Sequence, residues 1–396
     1  MTFKVETGLD RLATDCFALL KGQRVGLLLH PASVDHSLRP VRELMLATDS
    51  VDLRALFGPQ HGLLGQTQDN MIEWEGYTDP DSGLPVFSLY GKHRKPTSEM
   101  LAHFDTLVID LQDVGARYYT FIWTMLLSME ACAEAGKRVV VLDRPNPIGG
   151  LAVEGTVLEP GFESFVGLAP IPMRHGLTIG ELAGFFARYR GLDLDLEIVL
   201  LQGWRRAMDF AATDLPWVLP SPNMPTLDTA FVYPGGCLLE GTELSEGRGT
   251  TRPFEIMGAP YIVPQVLMSE LEGTHLPGVQ FRPLQFEPTF HKFAGEVCGG
   301  LQVHVSDRDS FLPVATYTAI IGAVSRLWPD HFSWKQPPYE YEKEKLPIDI
   351  LAGGEMWRRT IDTAESIDDS LQEMRAGWKV PLAAFAESVA EFRRYE

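Results

Sequence analysis

Three polar clusters hold most of the side chains that could do chemistry: GPQHG at residues 58–62, DLQDVGARYYT at 110–120 and EGTELSEGRGT at 240–250. Each sets acids, amides or an arginine among glycines, directly after an apolar run. A strand commonly ends in a short polar turn before the next helix. Such a turn has little reason to gather Asp, Gln, Arg and Tyr together unless something polar binds there. In open α/β sheets the ligand crevice lies at the carboxyl ends of the strands. The pattern therefore predicts an enzyme with a polar, carboxylate-rich pocket.

The elements that must position these clusters alternate through the first half of the chain. Apolar, β-branched runs at 23–29, 54–57, 85–90, 106–111, 138–142 and 196–201 read as strands covered on both faces, as in parallel sheets. Helical patterns cover 9–20 and 121–135, the second closed by Gly136. Another begins at Thr178, where Glu181 three residues on has capping-box spacing. This is a doubly wound α/β order. No GxGxxG follows the first strand, which runs instead into VGLLLHPAS, so a nucleotide is not expected. Prolines at 216, 220, 222 and 225 exclude helix and central strand, which makes PWVLPSPNMP a rigid connector. We place a domain boundary at its end, giving units 1–226 and 227–396. The second holds mixed short strands, one at 301–305, and an amphipathic C-terminal helix near 382–395.

Composition excludes several classes. A chain of 396 residues with 45% hydrophobic content is long enough for two cores. A formal charge of -19 disfavours a nucleic-acid partner, because phosphate contacts need clustered Lys and Arg. The four cysteines, at 16, 132, 237 and 298, lack CxxC spacing, which suits free thiols in a reducing compartment. No HExxH and no GxSxG occurs, so neither a metal centre nor a serine nucleophile is expected, and no cofactor is implied. Without an apolar leader or a run of roughly 20 apolar residues, the sequence as it stands reads as cytoplasmic with no membrane span.

Taken in order, GPQHG, SGLPVFSLYG (82–91), QDVGARYYT, LDRPNPIGG (142–150), RHGLTIGELA (174–183), PSPNMPT (220–226) and EGTELSEGRGT resemble one family, the NamZ-like exo-β-N-acetylmuramidases. The likeness runs from about residue 20 to the C-terminus. It implies a Rossmann-like, mostly parallel N-terminal domain, a smaller α+β auxiliary domain and an active site in the cleft between them. It further implies removal of terminal N-acetylmuramic acid from peptidoglycan fragments. The chain departs from the family's better-known branch where a PEHG glutamate, a leading candidate for the acid, is replaced by Gln60, which implies another carboxylate, a changed substrate or no activity. An amide cannot act as a general acid or base at neutral pH. The following QTQDNMIE (66–73) offers Asp69 and Glu73 as replacements, and Glu73 is the one we retain.

Glycosidases place two carboxylates about the scissile bond, or let the substrate's own acetamido oxygen attack. The candidates are Asp113, Glu240, Glu246 and Glu73. Arg117 and Arg248 have the fork that takes a lactyl carboxylate two-handed. Gln60, His61, Gln112, Tyr119, His175 and Asn223 complete the expected substrate contacts. Each has a plainer alternative. Asp113 could cap a helix or pair with Arg117, Glu240 could stabilise a turn, and Glu246 could be a solvated loop acid. The histidines and Asn223 could serve only to hold loops, and one of Tyr118 and Tyr119 belongs to the core. A non-catalytic sugar-binding protein and a hydrolase for another carboxylated small molecule remain the alternative functions.

Overall fold

The six apolar runs of the first half become one sheet. Its strands are β1 (Arg24–Leu29), β2 (Asp52–Gly58), β3 (Tyr77–Thr78), β4 (Pro85–Ser88), β5 (Thr106–Asp110) and β6 (Arg138–Leu142). After a ribbon of β7 (Glu154–Val157) and β8 (Pro172–Arg174), β9 (Leu196–Val199) completes it. The computed structural model describes residues 5–69 and 71–396, so residues 1–4 of the segment read for a leader lie outside it. The order is β3-β4-β2-β1-β5-β6-β9, and every pairing is parallel except β3 with β4. All five residues of β5 are buried, as a strand covered on both faces requires.

The chain winds outward from β1 to β2 and β4, then returns to β5 on the other side of β1. The switch point therefore lies between the ends of β1 and β5, where a doubly wound fold usually receives its ligand. Here the proline-rich segment crosses it, leaving a small pocket beside Asp35, Gln112 and Trp217. His30 follows β1, and its Nε2 accepts the Gln112 N–H (2.8 Å) while its Nδ1 donates to the Pro220 carbonyl (3.2 Å). Burial, with the Arg144 charge nearby, pushes this imidazole down to about 3, so it is neutral. The proline-rich connector is thus tied across the crevice.

Helices follow local chemistry closely. Thr178 Oγ1 accepts the Glu181 N–H (3.2 Å), and the Glu181 carboxylate accepts the Thr178 N–H (3.0 Å), opening the helix Ile179–Tyr189. Two expectations change. The helix near the N-terminus stops at Thr14, and a separate short turn, Ala18–Leu20, follows Phe17, whose φ of 57° breaks the helix. The C-terminal helix is Ile367–Ser388 and runs straight through Pro381. Buried Ile367, Leu371, Met374, Trp378 and Phe385 recur every three to seven residues, and that apolar stripe outweighs the lost hydrogen bond.

Beyond the connector, β10 (Ile256–Ala259), β11 (Val279–Phe286) and β12 (Cys298–Val305) form an antiparallel sheet in the order β10-β12-β11. Helices Leu227–Gly236 and Pro264–Leu271 pack beside it, and Pro313–Leu327 packs against both of these helices. The fold is α/β with a smaller α+β part. The two parts are joined by specific bonds. Glu154 of β7 accepts the N–H groups of Val314 (3.1 Å) and Ala315 (2.8 Å), capping a helix of the other part. The chain end returns to the first part, where the Arg206 N–H meets the Glu396 carbonyl at 2.7 Å.

Candidate active site

A small cavity of about 40 Å³ lies where loops of both parts meet. Gln60 and His61 reach it from the loop after β2, and Tyr119 and Thr120 from the turn before the helix Phe121–Glu134. Ser221 and Asn223 come from the proline connector. Glu240, Arg248, Tyr339 and Glu340 come from the C-terminal part. Six residues expected from the sequence line this wall: Gln60, His61, Tyr119, Asn223, Glu240 and Arg248.

Glu240 lies in the short helical turn Cys237–Gly241. Its Oε1 accepts from Arg248 Nη2 (2.8 Å) and its Oε2 from the Tyr339 hydroxyl (2.7 Å). Burial, the largest influence, and the repulsion of Glu246 push this carboxyl up, but the Arg248 charge and the hydrogen bonds from Arg248 and Tyr339 together outweigh them and lower it. It is ionised at neutral pH. Arg248 owes its place to its neighbours. Gly247 and Gly249 have φ of +77° and +78°, and a Cβ on either would come within 2.4 Å of the Ile256 carbonyl or 2.6 Å of the Phe290 carbonyl. Only glycine fits both positions.

Glu340 was not singled out by the sequence. Residues 339–342 form a tight turn in which Tyr339 and Glu342 exchange N–H···O bonds of 2.9 Å. The two central residues, Glu340 and Tyr341, have φ of 43° and 71°, a left-handed conformation that costs non-glycine residues about 1–2 kcal/mol each. Strain of this kind collects at functional sites. The carboxyl it delivers is buried between two residues of the N-terminal part. Oε1 accepts from Gln60 Nε2 (3.2 Å) and Oε2 from the Tyr90 hydroxyl (2.9 Å). Among the described residues no cation hydrogen-bonds to it. Burial therefore dominates, and with Glu240 adding repulsion it pushes the Glu340 carboxyl up to about 7. Gln60 in turn accepts from Thr120 Oγ1 at 2.7 Å, which fixes its amide with the N–H side toward Glu340. The neighbouring imidazole of His61 donates to the Thr67 carbonyl (2.7 Å), and burial holds it at about 4, hence neutral.

The remaining expected residues lie off this wall. Asp113 accepts the Gly115 N–H (2.7 Å) and stands 3.1 Å from His175 Nε2, while His175 Nδ1 accepts the Leu177 N–H. The Gln112 amide donates to the carbonyls of Asp113 and Pro145 (2.7 and 2.9 Å). Glu246 is fully buried behind Arg248, paired with Lys292, His291 and the Arg248 Nε. Glu73 is exposed on the rim of another cavity, beside Trp74 and Lys92. Arg117 is wholly buried and donates to the carbonyls of Thr156 (2.6 Å), Ile171 (3.0 Å) and Leu351 (2.6 Å). The shared cause is that buried loops must satisfy their own backbone groups, and polar side chains at strand ends are consumed doing so. Arg117→Met should accordingly lower the thermal midpoint by roughly 5–15 °C, since it strands three carbonyls in the interior. The ligand affinity of the folded fraction should be unchanged. Calorimetry paired with ligand titration checks this, and a normal melting point with lost binding would return Arg117 to the site.

Among the described residues no group of three or more His, Cys, Asp or Glu could hold a metal ion, and no helix is long and apolar enough to cross a membrane.

Comparison with known proteins shows the family and the fold. Residues 25–228 match the family model described as exo-β-N-acetylmuramidase NamZ, N-terminal, and residues 231–395 match its C-terminal counterpart. The peptidoglycan β-N-acetylmuramidase NamZ of Bacillus subtilis (strain 168) is 47% identical over 366 residues, covering 92% of this chain and 86% of that protein. A crystal structure of a DUF1343 family protein from Bacteroides fragilis NCTC 9343 superposes with a TM-score of 0.89 at 35% identity, over the full length of both chains. A second protein of that family and organism gives 0.75 at 27% identity over 99% of each.

Proposed function

The chain belongs to the NamZ family of exo-β-N-acetylmuramidases, and from that premise we propose that the cavity hydrolyses the glycosidic bond of a terminal N-acetylmuramic acid in peptidoglycan fragments. The observation that carries this is a pair of buried glutamates on one cavity with opposite electrostatic settings. Among the described residues no cation hydrogen-bonds to Glu340, which keeps its proton toward neutrality, whereas Glu240 is clamped by Arg248 and has lost its own. Two carboxyls driven apart in this way suit general acid and partner.

Glu340 gives its proton to the glycosidic oxygen as the bond to the anomeric carbon breaks. The departing sugar thus leaves as an alcohol. Glu240 supports the positive charge growing on the sugar, by attack, by activating water or by orienting the 2-acetamido group. Gln60 supplies no proton in this scheme. It holds Glu340 with a neutral donor, so the carboxyl remains uncharged until pH reaches its own raised range. His61, Tyr119, Asn223 and Arg248 are the proposed sugar contacts, and the division between the two units is placed at residue 226.

The pH dependence follows in sign. Activity needs Glu340 protonated and Glu240 ionised. The value of kcat/KM for a MurNAc–GlcNAc disaccharide should therefore fall above pH about 7, as Glu340 loses its proton. It should fall again in acid, below the ordinary carboxylate range, as Glu240 gains one. Release of free N-acetylmuramic acid across pH 3–9 measures both limbs. Tight binding with no release at any pH would leave only a sugar-binding protein.

A further inference from the structure

Lys292 belongs to none of the sequence motifs and does not line the cavity. It sits on the loop joining β11 to β12, with its side chain only 10% exposed. An ammonium has three N–H donors, and here three acceptors surround it. These are the Leu239 carbonyl (3.0 Å), the Leu244 carbonyl (2.9 Å) and Glu246 Oε2 (3.0 Å). Leu239 immediately precedes Glu240, and Leu244 lies four residues beyond it. One cation therefore ties down both sides of the loop that presents Glu240. The same cation begins a chain of charges. Glu246 Oε1 stands 3.2 Å from Arg248 Nε, and Arg248 Nη2 is 2.8 Å from Glu240.

We propose that Lys292 is a positioning residue for the glycosidase reaction: its ammonium pins the Glu240 loop and, through Glu246, leaves Arg248 free to serve Glu240. This rests on the assignment of Glu240 to the reaction made above. The physical reason lies in the competition for Arg248. Glu246 is fully buried, and although burial opposes its charge, Lys292 first and then His291 and Arg248 hold it ionised. Without Lys292, Glu246 must draw on Arg248 for compensation, and Glu240 faces one more net negative charge. Of the other described groups beside Glu240, Tyr339 is a neutral donor, His61 is neutral, Cys237 and Tyr233 are buried and uncharged, and Glu340 is an acid, so none of these carries a positive charge.

The test is a charge cycle read as a pH profile of kcat/KM on an aryl N-acetylmuramide. Lys292→Met should move the acid limb up by ~1 pH unit, because Glu240 then takes its proton more readily. It should also lower kcat by about 10–100-fold, as expected for a loosened catalytic loop, with KM changed less than about threefold. Glu246→Gln should move the same limb down. The double variant, which removes cation and anion together, should return it close to wild type. A purely structural lysine would lower melting temperature and yield of active enzyme while leaving the limb in place, and that result overturns the proposal. Should Lys292→Met fail to fold, the limbs of Glu246→Gln and of the double variant still decide, since a wild-type limb in Glu246→Gln alone refutes the link. Full activity in Glu240→Gln would instead defeat the assignment on which the proposal rests.

Discussion

Glu340→Gln is expected to slow hydrolysis of a sugar–sugar bond by about 10²–10⁴-fold while leaving substrate binding nearly intact. Glutamine preserves the shape of the side chain and can still meet the Tyr90 hydroxyl, but it has no proton to give. The size of the loss depends on the leaving group. A sugar alkoxide is a poor leaving group and needs the proton, whereas a nitrophenolate departs without one. The deficit should therefore shrink to roughly tenfold or less on a p-nitrophenyl substrate. Comparing kcat/KM on the two substrates measures this, and an equal loss on both would show that Glu340 does something other than protonate the leaving oxygen. The variant should also lose the decline above pH about 7, because that limb belongs to Glu340.

Glu240→Gln should behave differently. Whichever route the reaction takes, the ionised carboxylate acts on the anomeric carbon or its acetamido neighbour and not on the leaving group. Its removal should cost about 10²–10⁴-fold on aryl and disaccharide substrates alike. The amide oxygen can still accept from Arg248, and the amide N–H can donate to the Tyr339 hydroxyl oxygen in place of the bond the second carboxylate oxygen accepted, so the change in melting temperature should be small beside the change in rate. Full activity on either substrate would pass the role to another acid. The contrast between the two variants is the sharper test, since a general collapse of the cavity would not distinguish the leaving groups.

Much of the fold could be read from the sequence because its signals were local. Six apolar runs, a capping box at Thr178 and Glu181, and a proline-locked connector each specify their own structure over a few residues. The site was only half legible for a related reason. GPQHG and EGTELSEGRGT lie in loops whose glycines mark tight turns, and they do reach the cavity. DLQDVGARYYT carries the same signature, yet Asp113, Gln112 and Arg117 spend their polar atoms on nearby backbone, a fate that depends on burial and not on residue type. Glu340 escaped notice because it precedes the charged run EKEKLP, beside which one more glutamate looks like a solvated acid. The available clue was its setting in PPYEY, an acid held between two tyrosines after paired prolines. Glu73 attracted attention only because it lay close in sequence to Gln60; in space the partner of that amide is 280 residues away.

The left-handed turn at Glu340 also bears on ancestry and on protein engineering. One part of the chain carries the acid on its turn, while the other supplies the two donors, Gln60 and Tyr90, that grip it. Genetic exchange that joins the first part of one relative to the second part of another would keep both folds and still mismatch this grip. Gln60 and Glu340 are therefore expected to be inherited as a pair. In a library of chimeras crossed over near residue 226, activity should follow the parentage of that pair more closely than the overall sequence similarity of the parents.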